Sequence, residues 1–343
     1  MTSHHVNLHS DTQTRPTEGM RRAMAEAEVG DEQRFEDPSV NRLVERVAEL
    51  LGHAAAVFLP SGTMCNEIGF RVHVRPGGDE VLLDRTSHPV NFEAGGPAAV
   101  SGAVLTPLGG DCGVFTPEQV VAAIRPHDRY QPRTRLVSVE QTTNLGGGRV
   151  WPLETLRGVL AVAAEHGLRT HLDGARLVNA VVASGVPADV WAGGFDTAWI
   201  DFSKGLGAPF GAVLAGSTEL IEDAWRYKQM LGGAMRQAGI MAAACSYALD
   251  HHVERLAEDH ANARTLAEGL VELPGVMLDP STIETNIVIF EVPDAPAFCA
   301  ALATHGVVMS PMGARAVRAV THLDVDAAAV EQTLAAARKV LPT

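Results

Sequence analysis

An aspartate and a lysine stand at the ends of two apolar runs in this chain. The first block is His171-Leu172-Asp173-Gly174-Ala175-Arg176, and the second is Asp201-Phe202-Ser203-Lys204-Gly205-Leu206-Gly207. Each polar residue falls where a buried strand would stop. An acid and an amine so placed can grip a pyridine ring at opposite ends. The acid pairs with the ring nitrogen, and the lysine forms a Schiff base with the ring aldehyde. That is the working constellation of a pyridoxal-phosphate (PLP) enzyme. Taken singly, Lys204 reads as a loop lysine and Asp173 as the cap of the next helix. Only the pair points to chemistry.

Further residues extend the pattern. Ser61-Gly62-Thr63 follows a buried run and opens a helix over 64–72. Gly62 and Thr63 thus offer amides and a hydroxyl to a phosphate, or simply cap a helix. His88, just before Pro89, can cover a cofactor face and move a proton, or serve only in packing. Arg176 lies three residues after Asp173, and Arg318 sits in a later strand-like run. Two arginines facing one cleft would fork the carboxylate of a small amino-acid substrate; surface salt bridges are the alternative for each.

The elements that must position these residues read as alternating strands and helices. Strand-like runs at 56–59, 81–83, 136–139, 168–172 and 197–202 end in polar residues, with amphipathic stretches such as 153–166 between them. That alternation predicts an α/β layer with a mainly parallel sheet, whose ligands collect outside the strands' carboxyl ends. From about residue 240 the pattern changes to a long helical stretch over 241–270. Short strands at 286–290 and 317–321 follow, with helices at 295–305 and 326–340. The expected division is a large domain over 1–245 and a smaller C-terminal α+β domain over 246–343.

Composition sets bounds. The 343 residues are 46% hydrophobic and 20% charged, with 27 Lys and Arg against 41 Asp and Glu, a net charge of −14. That composition predicts a soluble, folded protein rather than a nucleic-acid binder. No apolar run reaches membrane-spanning length, so no membrane association is expected. Four scattered cysteines without CxxC spacing predict no zinc site and a reducing, cytoplasmic setting. His4 and His5 read as a solvated tail. His251, His252 and His260 read as solvated helix positions, with no metal expected.

Taken in order, these segments resemble the low-specificity L-threonine aldolases, PLP enzymes of fold type I. The shared segments are Ser10-Asp11-Thr12 with Arg15-Pro16, Gly30-Asp31, Glu36-Asp37-Pro38 with Asn41, and 60–64 with Asn66. They continue through His88 with Glu93-Ala94-Gly95-Gly96, 144–149, the Asp173 and Lys204 blocks, 231–239, and Arg318 with 321–325. The resemblance implies a large domain with a mainly parallel seven-stranded sheet. It implies cleavage of the Cα–Cβ bond of an L-β-hydroxy-α-amino acid to glycine and an aldehyde. It makes Lys204 the Schiff-base lysine, Asp173 the pyridine-nitrogen partner, and Gly62 and Thr63 the phosphate contacts. Ser10, Arg176 and Arg318 would hold the substrate carboxylate, with Arg176 also near the phenolic oxygen. His88 would stack on the ring and organise proton transfer. Arg236 would lie near the phosphate, across a subunit boundary, in a homotetramer built as a dimer of dimers with sites at the interfaces.

Several positions depart from that family's pattern. A Gly-Asp-Asp-x-Tyr-Gly segment becomes Gly30-Asp31-Glu32-Gln33-Arg34-Phe35, which puts Arg34 in the tyrosine slot as a candidate substrate contact and Phe35 where it would reshape the cleft. A Glu-Asn-Thr-His-Asn segment becomes Glu140-Gln141-Thr142-Thr143-Asn144, and a second active-site histidine aligns with Tyr130, with the nearby His127 as the alternative register. His9 stands for the usual Arg, and Cys65 for a small residue. The departures surround the substrate side chain, so the preferred β-hydroxy amino acid is expected to differ from threonine. β-Elimination, transamination or racemisation on the same fold stay open as rivals, as does a silent PLP-binding homologue.

Overall fold

The computed structural model describes residues 5–341; His4 lies outside them. In chain order the strands are β1 (Val6–Asn7), β2 (Ala55–Leu59), β3 (Glu80–Asp84), β4 (Val104–Leu108), β5 (Thr134–Glu140), β6 (Arg169–Gly174), β7 (Thr197–Asp201), β8 (Ala212–Gly216), β9 (Ile287–Glu291), β10 (Val307–Val308), β11 (Ser310–Pro311) and β12 (Ala316–Val320). A seven-stranded sheet runs β2-β8-β7-β6-β5-β3-β4. β8 is antiparallel to both its neighbours, and the pairs from β7 to β4 are parallel. Every residue of β3, β7 and β8 is buried, as expected of strands covered on both faces.

Alternation within each strand sorts side chains between two cores. Phe58, Ala198, Ile200 and Val213 join the large core on one face. Val57, Leu59, Trp199, Ala212 and Leu214 join a smaller core on the other. After α1 (Glu18–Ala25), α2 (Pro38–Leu51) packs on the first face and α3 (Gly62–His73) on the second. Asp37 caps α2 by accepting from the Ser39 and Val40 amides, and Gly52 ends it at φ 71°. Ser61 caps α3, which aims that helix's amino end at the carboxyl edge of the sheet.

A second apolar core gathers Val6 and Leu8 with residues from Ala263 onward. Its sheet is β11-β12-β9, and β1 pairs in parallel with β10, so the amino-terminal segment is stitched into the carboxyl-terminal unit. The first core extends along the chain as far as Leu256. The predicted helix over 241–270 is two helices, Gly239–His251 and Leu256–Val271. No Gly or Pro marks the break. A tertiary contact makes it: the His252 ring bonds the Leu206 carbonyl at 2.7 Å while Val253 packs on the first core. That contact also corrects the solvated reading of the histidines. His252 and His260 are buried, the latter against Asn179 at 3.0 Å, while His251 is exposed.

Candidate active site

β5, β6 and β7 end side by side, and a cleft of about 280 Å³ opens beside their carboxyl ends. Ser10, His88, Arg176, Lys204 and Arg318 line it, with His9, Thr12, Phe92, Glu140, Asn144 and Ala175. The parallel sheet accounts for His88, Glu140, Arg176 and Lys204, which end or follow its buried strands, while Arg318 within β12 and Ser10 after β1 come from the carboxyl-terminal unit.

The Lys204 amine lies 2.8 Å from Asp201 Oδ2 and sits 5.8 Å from the centre of the Trp199 ring. Gly62 is just beneath. A Cβ at Gly62 would fall 2.4 Å from the Trp199 ring and 3.4 Å from Asp201 Oδ2, so only glycine lets the α3 terminus approach this closely. The first amides of α3, Gly62 and Thr63 among them, have no acceptor inside the helix and are open to an anion.

Asp173 is buried at the end of β6. Its Oδ2 accepts from Asn66 Nδ2 at 2.8 Å, and its Oδ1 from the Ala175 amide at 3.0 Å. Burial pushes its carboxyl up, opposed by the Lys204 charge and the Asn66 bond. Asn66 is a four-way junction. It donates to Asp173 and to Glu93 Oε1 (2.8 Å) and accepts from Trp199 Nε1 (2.8 Å) and His171 Nε2 (3.1 Å). Every donor and acceptor of that amide is used, which sets its orientation.

His88 Nδ1 meets Glu93 Oε1 at 2.7 Å, leaving Nε2 as the other ring nitrogen. Burial lowers the His88 pKa, but the Glu93 bond and the Asp173 and Glu93 charges outweigh it and raise it above the usual value. The His88 backbone is held by Glu140, whose Oε2 accepts its amide at 2.8 Å and whose Oε1 accepts the Asn144 amide at 2.6 Å. Burial, then the Asp173 charge, pushes Glu140 up to about 7.

The two arginines differ in what they have left to offer. Arg176 forks onto Asp11, Nε to Oδ2 and Nη2 to Oδ1, both at 2.7 Å. Arg318 donates to Asn144 Oδ1 at 3.0 Å and to the His9 carbonyl at 3.3 Å, while its buried Nε has no partner among the described residues. Ser10 Oγ stands alongside, accepting from Thr12.

Three expected contacts are not brought to this cleft within one chain. Tyr130 is 82% exposed and lines a separate depression around the amino ends of β3, β5 and β6, at the opposite edge of the sheet. Arg34 is on the surface, paired with Glu36 at 3.0 Å, and Arg236 is exposed beside Asp31 at 3.1 Å. Phe35 does not narrow the cleft either. Its ring meets Trp225 edge-on at 5.2 Å, and its backbone takes φ 57°, the left-handed region where the family pattern has glycine. Glu32 is buried and accepts from Lys228 Nζ and the Met235 amide, which ties this segment to the one that carries Arg236. Sequence reasoning assigned no role to Asn66, Glu93, Asp11, Asp201 or Glu140. The available signal was position: Asn66 lies one turn after Gly62, and Asp201 three residues before Lys204.

Comparison with known proteins agrees with this geometry. The family model for beta-eliminating lyases matches residues 7–293. The low specificity L-threonine aldolase of Escherichia coli (strain K12) is 40% identical, over 93% of this chain and 94% of its own. Low-specificity L-threonine aldolase 1 of Arabidopsis thaliana is 37% identical, over 98% and 97%. The solved structure of the Leishmania major threonine aldolase superposes with a TM-score of 0.84, covering 98% of this chain and 99% of that one, at 19% identity. The fold is therefore that of the PLP enzymes of fold type I, and the chain belongs to the beta-eliminating lyase family, among the low-specificity L-threonine aldolases.

Proposed function

We propose that the protein is a PLP-dependent carbon–carbon lyase that cleaves L-β-hydroxy-α-amino acids to glycine and an aldehyde. The observation that carries this reading is one cleft holding an amine, Lys204, close to a buried carboxylate, Asp173, with the partly unpaired Arg318 at its rim. The residues fit PLP. Lys204 would bind the aldehyde, Asp173 the ring nitrogen, and the amino end of α3 at Gly62 and Thr63 the phosphate. When bound, PLP supplies the sink for the electron pair released at Cα.

The chain's own groups decide which bond supplies that pair. Arg318 has spare N–H capacity for a substrate carboxylate, with Ser10 beside it. Arg176, its fork taken by Asp11, has Nη1 left and fits a single-point contact with the cofactor's phenolic oxygen. A carboxylate held at Arg318 orients the bonds at Cα, and such positioning is worth up to about 7–11 kcal/mol. His88, with Nδ1 on Glu93, offers Nε2 to the β-hydroxyl proton. Because its pKa is raised, activity should climb as pH rises through a value above the usual histidine range.

Arg236, Arg34 and Tyr130 would then serve a neighbouring subunit's cleft, in a homotetramer of paired dimers. Val29, Phe35, Met230, Leu231 and Ile240 are exposed apolar residues on the two segments that carry Arg34 and Arg236, which suits a buried contact between copies. The changed residues around the substrate end, His9 and Thr143 among them, support a preferred substrate other than threonine. A cytoplasmic setting belongs to this reading and is supported by the four scattered cysteines without CxxC spacing.

The test is product analysis on threonine, allo-threonine and phenylserine. Glycine plus aldehyde, lost in Lys204→Ala, is expected. Pyruvate with ammonia, or a keto acid, would sink the aldolase reading. Fastest turnover on threonine would sink the altered preference alone.

A further inference from the structure

Behind His88 lies a second carboxyl that the reaction does not use. Glu67 follows Asn66 on α3 and turns toward the helix Gly96–Ser101. Its side chain is buried, and neither Oε1 nor Oε2 has a donor among the described residues. Across from it, Glu93 uses Oε1 twice, for His88 Nδ1 at 2.7 Å and Asn66 Nδ2 at 2.8 Å, while its buried Oε2 has no donor. Room for Glu67 comes from Gly96, where a Cβ would fall 1.9 Å from Glu67 Oε1. Three buried acceptor atoms without a donor are costly, and two facing carboxylates repel. A single proton between the two carboxyls removes the repulsion and pairs two of the three oxygens.

We propose that Glu67 is a positioning residue for His88: its carboxyl carries a proton and donates it to Glu93 Oε2. That bond holds the Glu93 carboxylate where it accepts from His88 and Asn66. The proton belongs on Glu67 because Glu93 already has two N–H donors that favour its anion, whereas Glu67 has none. Burial first, then the Glu93 charge and the hydrogen bond to it, push Glu67 up to about 8. His88, Asp173 and Lys204 are the charged groups on the cleft side of the pair. On its other side, Ser101 donates to the Glu67 carbonyl, and Arg71, one turn along α3, lies over the Tyr227 ring. The consequence is a tautomer lock. With Glu93 anionic and fixed, the His88 proton stays on Nδ1 and the free pair on Nε2. When Glu67 loses its proton, like charges meet and the lock loosens.

The proposal rests on His88 as the proton-handling group, and its test is chosen to separate the two. Infrared difference spectra of the holoenzyme at pH 7, with isotope-labelled glutamate, should show a protonated-carboxyl C=O band that Glu67→Gln removes. Nitrogen NMR of His88 should report Nδ1–H in the wild type and in Glu67→Gln, whose amide can still donate. A tautomer mixture should appear in Glu67→Leu and in Gly96→Ala, which displaces the carboxyl. The alkaline limb of kcat/KM should move to higher pH in Glu67→Gln. A band that survives Glu67→Gln, or His88 nitrogen shifts and a pH profile unchanged by Glu67→Leu, would overturn the proposal. The infrared and NMR signals need no substrate, so they stand even if glycine is not the product.

Discussion

Arg176 would reach the cleft with an open guanidinium fork if Asp11 were absent. Burial alone would push Asp11 up, but the Arg176 charge and bonds outweigh it and hold the carboxyl at about 2. The folded value lies below the ordinary 3.8, so the pair stabilises the fold fully above that pH and loses its effect as pH falls through about 2. Asp11→Asn should cost about 3–5 kcal/mol at neutral pH, because it strands a buried cation. It should also flatten the wild-type loss of stability between pH 4 and pH 2; thermal melts across that range check both. Arg318 presents the opposite case, a cation with donor capacity left over. Arg318→Leu should raise KM by about 10–100-fold, the worth of a charged hydrogen bond, and lower kcat as well, because the carboxylate it holds orients the bonds at Cα. Steady-state kinetics on the best substrate of the three measures this.

At the scale of elements, α3 is the part on which the site depends most. It delivers Gly62 and Thr63 to the cofactor end, Asn66 to Asp173, and Glu67 to Glu93. That reach needs the helix close to the sheet, and glycines permit it. A Cβ at Gly69 would fall 2.3 Å from the His171 ring, whose other contacts, Thr197 at 2.8 Å and Asn66, leave it no room to move. Gly69→Ala should lift α3 from β6 and destabilise the fold by about 1–3 kcal/mol, an overpacking cost. It should weaken PLP binding as well, although Gly69 lies two turns from the phosphate contacts. Chemical denaturation and a cofactor titration test the two effects separately. β2, β5, β6 and β7, on which α3 packs, were legible in the sequence as apolar runs ending in polar residues, whereas β8, on which it also packs, was not read as a strand. The break at 252–255 was not, because a ring-to-carbonyl contact from another element makes it.

At the scale of the whole molecule, the proposed assembly would have a neighbouring copy complete each cleft. Within one chain, Arg236 and Arg34 lie on a surface with exposed Phe35 and Met230, 64% and 73% exposed. If Arg236 acts across an interface, mixing Lys204→Ala with Arg236→Ala subunits should restore about one intact site in four by random pairing. No recovery would place Arg236 outside the neighbour's site. Met230→Asp should shift the assembly toward smaller species, as light scattering with size exclusion would detect. The carboxyl-terminal unit is likewise not a simple tail. Its core takes Val6 and Leu8 from the other end of the chain, and this junction holds His9 and Ser10 against Arg318.

The sequence by itself determined the alternation of elements, the strand ends where Asp173 and Lys204 stand, and the ordered motifs that identify the family. These are local facts: periodicity and polar residues at the ends of buried runs survive without knowledge of neighbours. It also supplied Arg176 and Arg318, but not their different states. Only the tertiary structure decided that Asp11 occupies one fork while the other keeps a free donor, and that Asn66 and Glu93 link Asp173 to His88. It decided, too, that Tyr130 stands at the far edge of the sheet. Such pairings join residues up to hundreds of positions apart, and their energies depend on burial and distance, which no spacing in a linear chain encodes.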